Sequence, residues 1–249
     1  MQFDPKMAQY LNGTLFSNGL VFDIAIKSSE FYDRITILEQ MVSNKKVIHL
    51  GCCDHIPLIH NKILSGSWLH ARLYQKSSRC MGIDMNLEGI QYLKENLHYG
   101  DVVCADLIKD EVSQITSNHW DYLVMGEVLE HIDNPVLFLR TIREKYVQYI
   151  DKIIITVPNA FFWKNFKYAL SHKECINTDH RYWFTPFTLA KIATCANFIV
   201  EEFQLCSFNP EKTTWKSYLN VKWNFRYFLL RRFPALRECL IMVLKSNYE

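Results

Sequence analysis

The chain has 249 residues, 49% hydrophobic and 22% charged, which is the balance of a globular protein with a large buried core. Its formal net charge of +2 is too small to indicate a nucleic acid partner, and there is no apolar stretch of about 18 residues that would predict a membrane span. Eight cysteines in a chain whose N-terminus lacks the apolar run of a secretory signal indicate reduced thiols, so we expect a cytoplasmic protein.

Apolar runs of strand length alternate with stretches of helical periodicity over most of the chain. Two helices are marked by an N-cap residue followed by a proline, which is harmless in the first helical turn. In chain order, the pattern predicts a helix over 31–42, a strand over 47–52, a helix over 56–74 interrupted near Gly66, a strand over 80–85, a helix over 87–97, strands over 102–107 and 122–128, a helix from Asn134-Pro135, a strand over 152–157, a helix from Thr185-Pro186 to Ala196, and strands over 198–208 and 239–244.

This alternation predicts an α/β fold with a Rossmann-like, doubly wound, mostly parallel seven-stranded sheet. Because no helix is evident between the last two strands, we expect an antiparallel edge strand. We divide the chain into an N-terminal helical segment, residues 1–45, packed on a domain formed by residues 46–249. An insertion at about 209–236 is rich in aromatic and basic residues. It is either a lid or substrate surface, or a helix packed on the sheet edge, which we favour; its charges allow peripheral membrane contact but no crossing.

Glycine and acidic residues stand where the predicted strands end. The first strand runs into the turn Gly51-Cys-Cys-Asp-His, and Asp84, Asp106 and Glu127 end the next three. Ligands of open parallel sheets bind at the carboxyl ends of the strands, where a tight turn admits the ligand and an acid holds ribose hydroxyls. Any one acid would equally serve to cap a helix. Three in succession favour a nucleotide-like cofactor site.

Several segments of the sequence resemble the motifs of a known family. The segments VIHLGCCDH, GIDMN, CADL, WDYLVMGEVLEHIDNPVLFL and IIITVPNAF resemble the successive motifs of class I S-adenosylmethionine-dependent methyltransferases. The run EVLEH-x-x-NP is the most specific and is similar to the branch that includes ubiquinone-biosynthesis O-methyltransferases and glycan-modifying enzymes. The segment DHRYWFTPFTLAKIATCANF resembles the same branch. The resemblance covers about residues 46–203.

The resemblance implies that S-adenosylmethionine is the cofactor, and it implies contacts along the whole cofactor. These are Gly51, Cys52 and His55 at the methionine part, Asp84 and Met85 at the ribose, Asp106 and Leu107 at the adenine, and Glu127 and Val128 beside the cofactor and facing the substrate.

The cofactor turn departs from the family pattern. Family members usually have an acid at the position of His49 and glycines at those of Cys53 and His55, and neither cysteine nor histidine adopts positive φ as easily as glycine. By charge alone, His55 and Arg72 are candidate partners of the methionine carboxylate. The departure supports an alternative, a non-catalytic cofactor-binding or partner-binding module of the same fold. A NAD-dependent dehydrogenase is the weaker alternative, because G-x-G-x-x-G is absent.

Methyl transfer to a hydroxyl requires removal of its proton, and histidine suits that task near neutral pH. His131, after the fourth strand, and His180, after the fifth, are the candidate catalytic residues, although each would also serve to hold its loop. We predict O-methylation of a small-molecule substrate; the class, a sugar or glycan intermediate, follows from the resemblance to the branch. No metal site is predicted, since Cys52 to His55 are consecutive residues rather than spaced ligands.

Overall fold

The computed structural model describes residues 3–24, 33–207 and 228–246. Within these ranges a seven-stranded sheet is flanked by helices, as predicted. In chain order the elements are α1 (Pro5–Leu11), α2 (Arg34–Val42), β1 (Lys46–Leu50), α3 (Ile56–Leu64), α4 (Leu69–Lys76), β2 (Arg79–Asp84), α5 (Leu87–Glu95), β3 (Val102–Cys104), α6 (Ser113–Thr116), β4 (Trp120–Gly126), α7 (Pro135–Tyr146), β5 (Ile150–Pro158), α8 (Trp163–Leu170), α9 (Pro186–Cys195), β6 (Phe198–Cys206) and β7 (Cys239–Ser246).

The sheet order, β3-β2-β1-β4-β5-β7-β6, reverses direction at β1. Strand β1 pairs in parallel with β2 on one side and with β4 on the other. A parallel sheet has its ligand crevice at such a switch point, outside the carboxyl ends of the strands. The turn at Gly51 follows β1, and Glu127 follows β4. Because β1 and β4 are neighbours in the sheet, their ends bring these residues together.

The far side of the sheet is antiparallel. Strand β7 runs antiparallel to both β5 and β6, which confirms the predicted fold class and the antiparallel pair at the edge. Strand β7 lies between β5 and β6, so β6 is the edge strand on this side of the sheet. Residues 153–157 of β5 are buried because helices cover both faces of the sheet, as the continuous apolar run predicts.

Most predicted boundaries agree with the structure within a few residues. The helix predicted over 56–74 is two helices, α3 and α4, separated at Gly66, which has a φ of +67°. The predicted caps are present: Asn134 accepts the N–H of Leu137 at 3.0 Å, and Thr185 accepts that of Thr188 in a capping box. Helices α6 and α8 were not predicted. Strand β3 is shorter than the predicted 102–107: it ends at Cys104, and a loop begins at residue 105.

The N-terminal segment contacts the sheet domain in several places. The Lys191 ammonium on α9 donates to the carbonyls of Tyr10 and Leu11 at the end of α1, at 2.9 and 2.6 Å. Arg72 on α4 binds Glu39 on α2. The division at residue 45 stays a prediction. Most of the predicted insertion, and the end of the strand predicted to 208, lie outside the described residues. Among the helices that are described, none has the length and apolar character of a membrane span.

Candidate functional site

The turn after β1 is held against β2. The Gly51 N–H donates to the Ile83 carbonyl at 2.8 Å, and Gly51 has a φ of +75°. A Cβ at this position would lie 2.7 Å from Cγ2 of Val128, which follows β4. Glycine is therefore required at this turn for both its backbone conformation and its close approach to the neighbouring loop.

The two cysteines of the turn fit because glycines face them. Cys52 lies under β2, where a Cβ on Gly82 would come within 2.8 Å of its Sγ. Cys53 lies against α5, where a Cβ on Gly89 would come within 2.8 Å of its Sγ. The hydrogen bond with Cys53, together with burial, raises the pKa of the Cys52 thiol, which is therefore neutral. Glycines on β2 and α5 therefore make room for the two cysteine side chains.

His55 does not need the backbone conformation that glycine permits. It has a φ of −59°, and its exposed side chain makes no capping hydrogen bond at the start of α3. Cys53 is likewise outside the positive-φ region. Arg72, the other candidate partner of the methionine carboxylate, is engaged within the protein: it binds both oxygens of Glu39 at 2.6 and 3.0 Å and the Gly66 carbonyl at 2.7 Å.

Asp84 connects the turns after β1 and β2. Its Oδ2 accepts the N–H of Cys53 at 2.9 Å, and its Oδ1 accepts that of Asn86 at 2.9 Å. An ionised carboxylate has about four acceptor sites, so the two backbone bonds leave capacity for ligand hydroxyls. The next residue, Met85, is 68% exposed, so its side chain is available for contact.

Asp106 forms a turn of its own beyond β3. Its Oδ1 accepts the Ile108 N–H at 2.9 Å, and Oδ2 lies 3.0 Å from the Lys109 ammonium. Burial raises the pKa of Asp106, but the backbone N–H groups and Lys109 outweigh that effect, so its pKa lies below the usual value. Leu107 is buried in the main hydrophobic core. The side chain of Asp106 therefore stabilises its own loop.

A buried histidine pair occupies the position at which the family usually has an acid. His49 on β1 and His70 on α4 approach with their Nδ1 atoms 3.2 Å apart. Burial, His70 and Arg34 lower the pKa of His49, and burial lowers that of His70 to about 4. Both rings are therefore neutral, and one Nδ1 donates to the other. Neither Nε2 has a hydrogen-bond partner among the described residues.

Glu127 is held by a residue that the sequence analysis did not identify. Its Oε1 lies 3.2 Å from Nη1 of Arg34 and accepts the Thr156 hydroxyl at 3.1 Å. Its backbone is left-handed, with a φ of +61°, a strain that persists where surrounding contacts hold it. Arg34 is one of many basic residues, and nothing in the local sequence separates it from those that face solvent.

Glu130, His131 and His180 come together beyond β4, and we call them the acceptor-side cluster. Glu130 is fully buried, and burial together with the charge of Glu127 raises its pKa to about 9. The two imidazoles meet edge to face with centroids 4.7 Å apart. Burial and His131 lower the pKa of His180. The predicted catalytic histidines, 49 residues apart in sequence, are therefore neighbours in space, and the sequence analysis did not identify Glu130.

The comparisons agree on the fold. Three solved structures are similar to the chain: the small RNA methyltransferase HEN1 (14% identity, TM-score 0.55, 92% of this chain and 27% of that one), a putative methyltransferase in complex with the Haloferax volcanii Trm112 activator (14%, 0.53, 86% and 88%), and magnesium protoporphyrin IX methyltransferase from Synechocystis with bound SAH (14%, 0.51, 98% and 100%). The chain thus spans about a quarter of the length of HEN1.

At these identities the likeness establishes a Rossmann-like methyltransferase fold, which confirms the fold that the resemblance implied. No curated protein matches the chain. The model of one family, described as methionine biosynthesis protein MetW, matches residues 32–227, which is well over half of the sequence. The chain therefore belongs to the MetW family.

Proposed function

We propose that this protein binds S-adenosylmethionine at the carboxyl ends of β1 to β4 and transfers its methyl group to an acceptor beside Glu127 and the acceptor-side cluster. The observation that carries the proposal is Asp84, whose carboxylate joins the glycine turn to β2 at the switch point of the sheet. The relative from Synechocystis, which has the same fold, holds SAH.

The residues of the crevice fit such a cofactor. Gly51 carries no side chain at the turn, where a Cβ would clash with Val128, and Asp84 retains acceptor capacity for two ribose hydroxyls. Asp106 and Leu107 lie in the loop after β3, where we assign the adenine. Met85, largely exposed, lies between these two positions in the chain.

The methionine end differs from the usual pattern. A neutral histidine pair cannot attract the methionine ammonium by charge, as an acid at that position would. Glu127 is the acid beside this end of the crevice, and its Oε1 is already engaged by Arg34. We assign His55 and Cys52 to the wall of the turn rather than to charged recognition.

The bound cofactor supplies an electrophilic methyl group, so the chain has to position the acceptor and exclude water. We propose an oxygen acceptor on a small molecule, with a sugar or glycan intermediate as the class that the branch resemblance implies. His131 or His180 would receive the acceptor proton, and the lowered pKa of His180 keeps that imidazole neutral at pH 7. We also propose a cytoplasmic location.

A second function is favoured by one observation. Cys53 and His55 stand where the family usually has glycines, so the turn has an altered wall. This supports a non-catalytic module that binds the cofactor or a partner protein. The methyltransferase from Haloferax volcanii, which has the same fold, was solved in complex with an activator protein.

Calorimetry with S-adenosylmethionine, followed by incorporation of labelled methyl into cell extracts, tests the proposal. We expect binding and labelling of a small molecule. An absence of binding at millimolar cofactor contradicts the cofactor assignment. Binding without transfer to any acceptor supports the module instead of the enzyme.

A further inference from the structure

Glu130 is a buried acid that lacks partners. It has no exposed surface, and neither carboxylate oxygen has a hydrogen-bond partner in the described part of the chain. Burying an unpaired polar group is costly, and burying an unpaired charge is more costly still. A ligand that pairs with the Glu130 carboxyl group would remove this cost.

Both histidines place a ring nitrogen near this acid. His131 contacts the Asp179 carbonyl through Nδ1 at 3.2 Å. A carbonyl only accepts, so Nδ1 carries the proton and Nε2 keeps its lone pair, which is the usual arrangement of a metal-binding histidine. Nε2 of His180 lies 3.9 Å from Oε1 of Glu130, which is too long for a hydrogen bond.

From this geometry we propose that Glu130, His131 and His180 bind a divalent transition-metal ion. One ligand atom from each residue lies within 4.8 Å of the others. Donors on a tetrahedral ion with metal–ligand distances of about 2.1 Å are about 3.4 Å apart, so closing the present gaps takes shifts of roughly 1 Å or less. Two imidazoles and one carboxylate suit zinc and its neighbours rather than calcium or magnesium.

The loops that supply the ligands are already joined. The Arg181 N–H donates to the Glu130 carbonyl at 2.8 Å, and its guanidinium donates to the His131 carbonyl. The Tyr182 hydroxyl donates to the Asp133 carbonyl at 2.7 Å. These bonds hold the segment after β4 against the segment before α9, so the three ligand residues are positioned before any ion binds.

A second group of potential ligands, Cys52, Cys53 and Asp84, does not meet the same conditions. Both oxygens of Asp84 have a backbone N–H partner, unlike the two unpartnered oxygens of Glu130. Cys52 is a buried neutral thiol, whereas metals bind the thiolate. The sequence predicted no metal site. At the glycine turn this stays a prediction, and the site proposed at Glu130, His131 and His180 departs from it.

Three protein ligands leave coordination positions open for the acceptor. A bound cation would lower the pKa of an acceptor hydroxyl. This catalytic role rests on the proposed function, whereas binding of the cation is independent of it. A histidine whose free nitrogen ligates a metal cannot also accept a proton there. The metal site and the histidine base are thus mutually exclusive assignments.

Titration of the chelator-treated full chain with Mn²⁺, read from the electron paramagnetic resonance signal of the free ion, tests the site. Mn²⁺ prefers oxygen and nitrogen to sulfur, so the eight cysteines interfere little. We expect one ion per chain, displaced by Zn²⁺. His131→Ala and His180→Ala should each weaken binding at least tenfold, and Glu130→Gln should do the same. His60→Ala, which removes an exposed histidine on α3, should bind as the wild type does.

Two results overturn the site: no Mn²⁺ or Zn²⁺ binding by the wild type at millimolar ion, or unchanged affinity in both histidine variants. Circular dichroism checks the folding of each variant, and His131→Gln and His180→Gln replace any alanine variant that fails to fold. The affinity for S-adenosylmethionine in the absence of metal is measured separately by calorimetry. Loss of the metal proposal then leaves the cofactor proposal intact, and the converse also holds.

Discussion

His49 and His70 lie in the interior with their rings nearly parallel, centroids 5.3 Å apart and Nδ1 atoms 3.2 Å apart. The pair replaces a charged acid at the cofactor end of β1 with two neutral rings. Both residues are essentially inaccessible to solvent. Their neutrality affects the stability of the fold as well as ligand binding, because burial favours the uncharged form of each ring.

The stability of the protein should fall as the pH decreases from about 6.5 to 4. His70 has a folded-state pKa of about 4, whereas the unfolded chain takes up the proton near 6.5. The unfolded state therefore binds more protons in this window, and His70 alone accounts for a loss of roughly 3 kcal/mol. Denaturant unfolding at several pH values measures this slope.

Two variants isolate the histidine contribution. In His70→Gln the slope of the unfolding free energy should decrease by up to about 1.4 kcal/mol per pH unit. His60→Gln, an exposed histidine on α3, should keep the wild-type slope. Equal slopes in wild type and His70→Gln would show that His70 is not neutral in the folded protein.

Asp84→Ala should weaken binding of S-adenosylmethionine by roughly 10- to 100-fold while the fold persists, because it removes charged hydrogen bonds worth about 1.5–3 kcal/mol. Calorimetry measures the affinity. Asp121→Ala is the matched control: Asp121 also accepts a backbone N–H, that of Lys46 at 2.8 Å, but lies at the opposite end of the sheet. If Asp84→Ala binds as the wild type does, the ribose assignment is wrong.

Gly89→Ala should destabilise the protein by about 1–3 kcal/mol, although alanine is normally better in a helix by about 1 kcal/mol. The new Cβ would lie 2.8 Å from Sγ of Cys53. In the background of Cys53→Gly, the same change should cost less, because only the 3.2 Å contact with Cγ of Asn86 remains. Urea unfolding of the four proteins gives the coupling energy, and a coupling near zero would contradict the contact.

Arg34→Ala should cost about 3 kcal/mol of stability, because it leaves the Glu127 carboxylate without its charged partner in a mostly buried setting. Lys45→Ala breaks the exposed pair with Asp121 and should cost less than about 1 kcal/mol. Thermal and denaturant unfolding compare the two. Similar losses would mean that the Arg34 pair is no stronger than a surface pair.

The order of helices and strands, the caps at Asn134 and Thr185, and the acids at the strand ends could be predicted from the sequence. These features depend on local periodicity and on backbone preferences within a few residues. Helix α8 was missed because its exposed face carries Phe166 and Leu170, so its pattern does not mark a buried stripe.

By itself, therefore, the sequence determined the fold class and the elements that surround the crevice. Only the tertiary structure decided which side chains meet there: His49 with His70, Arg34 with Glu127, Cys53 with Gly89, and His180 with Glu130. The partners in these pairs lie 21 to 93 residues apart in the chain. Such contacts depend on strand order and helix placement, which the periodicity of any single segment does not contain.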